Sequence, residues 1–332
     1  MAIRDEHIDA AIAQGILTSE QAAQLRALAA DDAAPDPDDE KFRLIGGFND
    51  VFVTIGVGLL VAALFALSSV LEFRIGFAAL GMAAAWGLSE VFAQRMRLAL
   101  PSIALAVMFA GSAAYAAMSL GSLAAADPLV IAAGVGAALA AAAHWWRFRV
   151  PVDWAIAALG VSYAIAHGIL LVLPAFNTSL IFAVLGFAIF AAALRVDATD
   201  RERRTRRSDV AFWLHLVAAP MIVHGSISLL IGSAEGMETV EALAVLAIFV
   251  LLGLVAVIID RRALLVSGLT YAGLALGYLI SQGVTQDMGV SLTLLGLAAV
   301  VLGLSAGWRS LRRALLPLLP LGSLRHSVPP AV

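Results

Sequence analysis

Few residues in this chain are of types that do chemistry, and most of those lie in or beside long apolar runs. There is no cysteine, which removes thiolate nucleophiles, iron–sulfur ligation and CxxC zinc sites together. No HExxH or P-loop pattern occurs, and the Gly56-Val57-Gly58 step lies inside an apolar run, where it reads as packing. Serine, histidine and aspartate all occur, without the spacing that would specify a triad. A metal site built from His167, His224 and a third ligand has no motif behind it. No catalytic, cofactor-binding or metal-ligating residue is therefore assigned, and the expectation is a protein that is not an enzyme.

Two polar groups of side chains do stand out. His167 and His224 fall deep in apolar stretches, and the helical rise of about 1.5 Å per residue puts both roughly 20 Å from the same membrane edge. Tyr115 and Tyr278 come out at a similar depth. Ionisable groups inside a bilayer are costly, so this level is a candidate intramembrane polar site, a cavity wall whose histidines carry protons or cations. The competing reading is an interfacial belt with apolar bodies in lipid and polar tips outward. The second group lies near the opposite edge: Asn49, Asp50, Glu90, His144, Asp153, Asp209, His215 and Asp260. Ion pairing explains these, with Glu90 expected on Arg95 or Arg97, Asp153 on Arg149, and Asp260 on Arg261.

The elements that hold these residues follow from composition. The chain has 332 residues, 61% hydrophobic and 14% charged, against roughly half and a quarter in soluble domains. The expected fold is an all-α polytopic membrane bundle. Ten apolar spans are read at 48–70, 75–93, 99–119, 128–146, 152–173, 178–195, 210–231, 240–259, 263–282 and 288–307. Each is long enough to cross a hydrocarbon layer of about 30 Å, and lipid demands helices rather than open strands. The helix starts recur every 50 to 58 residues, which reads as five helical hairpins. Asp153-Trp-Ala leading to His167-Gly168 is echoed by Asp209-Val-Ala leading to His224-Gly225. Gly273 with Gly277 and Gly303 with Gly307 mark expected helix contacts.

Charge gives the orientation. Alternate breaks carry Arg95 and Arg97, Arg147 and Arg149, the arginines of 201–207, then Arg261 and Arg262, and finally Arg309, Arg312 and Arg313. The other breaks carry Arg74 alone against Glu72, Asp127, Glu235, Glu238, Glu241 and Asp287. The arginine-rich side is expected in the cytoplasm, with both termini. Its arginines are expected to contact anionic lipid headgroups. The net charge of -3 gives no footprint for a nucleic-acid partner, and no protein partner is indicated.

Outside the spans, 1–30 reads as a small cytoplasmic helical hairpin, broken at Gly15 and restarted by a Thr18/Gln21 capping box. Residues 31–47 are an acidic linker with six acids in 31–40. The tail, 308–332, is basic, with Leu311, Leu315 and Leu316 opposing Arg309, Arg312 and Arg313 in a short interfacial helix. The acidic start predicts no cleavable leader.

GILTSEQAAQLRALAA at 15–30, followed by FNDVFVTIGVGLLVAALFAL, resembles the front of predicted bacterial multispan membrane proteins that carry a short N-terminal helical piece. The resemblance covers about the first 70 residues and implies a bacterial inner membrane, no established activity and no site residues. The expected function is the movement or sensing of a small solute, transporter-like in build. The alternative is a membrane scaffold or regulator acting through its cytoplasmic hairpin and basic loop.

Overall fold

The computed structural model describes residues 5–32, 47–120, 126–200, 203, 205–230 and 238–319. The acidic stretch from 33 and the end of the tail from 320 lie outside them.

Two helices, α1 (Asp5–Ala13) and α2 (Ser19–Asp32), form a unit of their own. Gly15 between them has φ +69°, a left-handed conformation that an L side chain rarely adopts. Thr18 and Gln21 satisfy each other: the Thr18 amide donates to Gln21 Oε1 at 3.0 Å and the Gln21 amide to Thr18 Oγ1 at 3.2 Å. Ile8 and Ala22 are buried.

The second unit holds α3 (Phe48–Val70), α4 (Arg74–Ser89), α5 (Ala99–Ser119), α6 (Ala126–Phe148), α7 (Val152–Val172), α8 (Thr178–Ala198), α9 (Arg206–Leu230), α10 (Thr239–Ile259), α11 (Ala263–Ser281) and α12 (Gln286–Leu315). All ten are long and apolar enough to span a bilayer, and no strand occurs among the described residues. The chain is a multi-pass α-helical membrane protein. Large apolar side chains stand outward along its rim, among them Phe52, Leu59 and Phe65 on α3, Val250 and Leu251 on α10, and Leu295 and Leu302 on α12. Water would penalise such a surface and lipid does not.

Three departures of helix ends from the sequence reading bear on the polar residues. Past Ser89, α4 widens into a π turn over Glu90–Arg95. The α9 helix starts at Arg206 rather than 210 and carries Pro220 inside it. The tail does not form a separate interfacial helix: α12 runs on to Leu315, and Trp308, Arg312 and Leu316 turn inward and are buried.

Helices pack most extensively as α6 with α7 and α8 with α9, followed by α4–α5, α5–α6 and α10–α11. The two most extensive pairs are thus joined by arginine-rich turns, offset by one helix from pairs starting at each odd span, whereas α5–α6 is such an odd-span pair. Lipid tails are as apolar as leucine, so small residues that admit close backbone contact decide such packing. A Cβ on Gly134 would lie 2.5 Å from the Gly160 carbonyl oxygen, and one on Gly160 2.6 Å from that of Gly134. In the next pair, a Cβ on Gly225 would lie 2.7 Å from the Ser179 carbonyl oxygen. Gly273 and Gly277 instead face side chains of α12, Leu297 and Thr293. Gly303 and Gly307 meet nothing within 4 Å, which corrects their expected role. Gly168 also faces open space, so the echo between 153–168 and 209–225 does not extend to packing.

One core cluster gathers α3 to α6 around Leu105 and Phe109; two more gather α9 to α12 around Trp308 and Val245. α9 is the most buried of the ten spans.

Candidate functional site

At the arginine-rich end, three helices place a polar chain in the interior. Ser89 closes α4, His144 lies one turn before the end of α6, and Asp153 is the second residue of α7. The Ser89 hydroxyl lies 3.1 Å from His144 Nε2, and His144 Nδ1 lies 3.0 and 2.9 Å from the two Asp153 carboxyl oxygens. The bonding order that satisfies all three is Ser89 O–H donating to Nε2, with Nδ1–H donating to the carboxylate. Asp153 also sits in the first turn of α7, where the helix dipole favours negative charge. This is the order of groups used for acyl transfer. Here, however, Ser89 and His144 are 0% exposed and Asp153 is 1% exposed. The Phe148 ring lies 4.6 Å from the His144 ring and tilted by 43°, Phe109 lies 5.9 Å from it, and Trp86 packs against both phenylalanines. None of the three lines a described cavity. The Ser89–His144–Asp153 chain fastens α4, α6 and α7, and no described cavity gives a substrate access to it.

A second network fastens α8 to α12. Asp197, near the end of α8, accepts from Arg261 Nε at 3.0 Å, from Arg261 Nη2 and from His215 Nε2 at 3.2 Å. Arg261 also donates to the Ser208 hydroxyl at 3.0 Å. Asp260, in a left-handed conformation (φ 58°) at the end of α10, takes Arg203 at 3.1 Å, Arg312 at 3.3 Å and the Trp308 indole N–H at 2.7 Å. Burial of Arg261 and Arg312 is tolerable only because each guanidinium has several acceptors.

These contacts correct the expected partners. Glu90 bonds Arg147 of α6 at 2.6 Å rather than Arg95 or Arg97. Asp153 meets His144, not Arg149, whose guanidinium lies 5.6 Å over the Trp145 ring. Arg261 turns to Asp197 although it follows Asp260 in sequence. Asp50 is buried in the first turn of α3, and its carbonyl oxygen accepts from Thr54 Oγ1 at 2.7 Å. For Glu90, Asp153 and Arg261 the partner lies on another helix, reached by packing that local spacing does not encode.

The outer candidates do not gather into one wall. His224 Nδ1 lies 2.5 Å from the hydroxyl of Tyr271, a residue not singled out in the sequence. His167 stacks on Tyr163 with ring centroids 6.4 Å apart. Tyr115 shares a hydrogen bond with Ser68 at 3.0 Å and lines a 610 Å³ cleft between α3, α4 and α5. Tyr278 lines a separate 340 Å³ cleft between α11 and α12. Neither histidine lines these clefts.

The largest described cavity, 1210 Å³, opens between α7, α8 and α9. Its body is apolar, with Trp154, Val161, Ile189 and Leu214 among its walls. Its rim carries Arg149, Arg195, Arg206 and Arg207, all exposed. These arginines come from the α6–α7 turn, the end of α8 and the start of α9, so only the folded bundle brings them together. Trp145 and Trp154 meet edge to face at 5.9 Å on the same side. A groove with an apolar floor and a guanidinium rim suits an amphiphile with an anionic head. Among the described residues no three histidine, aspartate or glutamate side chains converge as a metal site. No protein-family model, curated protein or solved structure matches this chain.

Proposed function

We propose that this chain is a bacterial inner-membrane protein with both ends in the cytoplasm, and that it recognises an anionic, lipid-like small molecule in the cytoplasmic leaflet. Such recognition serves the transport or sensing role expected from its many spans and small extramembrane mass. The observation that carries the reading is the groove between α7, α8 and α9, with four arginines over an apolar floor. Basic side chains at a membrane surface attract anionic lipid by about 1 kcal/mol each, and a groove adds apolar contact to that attraction. Orientation is supported by the arginines at alternate breaks.

The test uses the tryptophans in the groove. In bilayers, brominated phosphatidylglycerol should quench fluorescence from Trp145 and Trp154 more than brominated phosphatidylcholine does. The difference should shrink in W154F and vanish in an R195Q/R206Q/R207Q variant. Equal quenching by the two lipids in the unmodified protein would remove the proposal.

A further inference from the structure

We infer that the groove is built for a phosphate monoester or pyrophosphate head carried on a hydrocarbon chain, in preference to phosphodiester lipids. This rests on the reading of the groove as an anionic-amphiphile site.

The argument is one of charge and geometry. Arg149, Arg195, Arg206 and Arg207 approach the rim from three elements, and none is paired to a carboxylate among the described ion pairs. The nearby acids are committed elsewhere. Asp197 is held by Arg261 and His215, and Asp200 accepts from the Thr205 hydroxyl at 2.6 Å and the Thr205 amide at 2.8 Å. Among the described residues, Asp209, half-buried behind the start of α9, shares the field of Arg206. Among the described residues, four guanidiniums set against one half-buried carboxylate exceed what a singly charged diester needs. A phosphomonoester carries about 1.5 to 2 negative charges at pH 7 and three strong acceptor oxygens, which several forked donors can share. Stacking on Trp145 holds the Arg149 guanidinium in place before any ligand arrives. Below the rim the apolar wall continues from Trp154 to Val161, about 10 Å along α7. A free phosphate ion would leave that wall unused, so the occupant is an amphiphile.

The full chain in phosphatidylcholine nanodiscs, loaded with brominated phosphatidylglycerol, provides the assay. Phosphatidic acid should displace the probe at about tenfold lower mole fraction than unlabelled phosphatidylglycerol, the effect of roughly one further charge-assisted contact. R195Q/R207Q should bring the two lipids to parity while the protein stays folded by circular dichroism. Displacement at equal mole fraction by both lipids, still dependent on the arginines, overturns the headgroup preference and leaves the anionic-lipid reading standing. Quenching indifferent to the arginines overturns both. Displacement by millimolar inorganic phosphate alone overturns the amphiphile.

Discussion

Ser89, His144 and Asp153 show how burial decides what a set of residues can do. Their bonding order matches a nucleophile, base and orienting acid, yet aromatic rings close over them and no described cavity reaches them. As a fastening, the chain makes graded predictions. H144A should be the most damaging change, because it leaves the Asp153 carboxyl buried without its partner, at a cost of about 3–5 kcal/mol. S89A removes one interhelical hydrogen bond and should cost about 1 kcal/mol. Equilibrium unfolding in bicelles measures both. A fluorophosphonate should fail to label Ser89 in the folded protein; labelling there would show an opening that the sealed geometry lacks. His144 and Asp153, nine residues apart across a short turn, stood out in sequence as polar residues near a span end. Ser89 did not, because a serine at a helix end is common and its partner lies 55 residues away. The pairing of Asp197 with Arg261, 64 residues apart, was missed because the sequence put Arg261 on its neighbour Asp260.

At the level of helices, span positions were readable because the bilayer imposes a length and an apolar composition that few other settings require. Which helix touches which was not, since that depends on where a missing side chain lets two backbones meet. The glycines make the contrast measurable. G160L must push α7 off α6, because even a Cβ there lies 2.6 Å from the backbone of Gly134. Overpacking of this kind costs about 1–3 kcal/mol or more. G303L, which points into open space, should leave thermal stability nearly unchanged. Equal melting temperatures for the two variants would refute the assignment of the α6–α7 interface.

For the molecule as a whole, the alternation of charge between its two ends predicts a fixed topology. Reporter fusions at 97, 148, 204 and 262 should score as cytoplasmic, and fusions at 124, 176, 236 and 285 as periplasmic. Two or more reversed signals would sink that orientation. The groove was partly foreseeable: the arginines of 195–207 drew a lipid-binding reading from composition alone. That Arg149 and two tryptophans from another hairpin complete it follows only from the close α7–α9 contact.

The two charged networks share one address, the arginine-rich end, while the described bonds between helices at the other end, Tyr115 with Ser68 and Tyr271 with His224, involve no carboxylate or guanidinium. Among the described residues the charged rivets of the bundle therefore lie along one rim. Bilayers differ in thickness, and a helix meets a mismatch by tilting at a cost of a fraction of a kcal/mol per ångström. A uniformly bonded bundle would share that tilt along its length. Here the helices would fan from the riveted rim like ribs from a handle, so a thinner or thicker membrane would reshape the far side and leave the arginine groove unaltered.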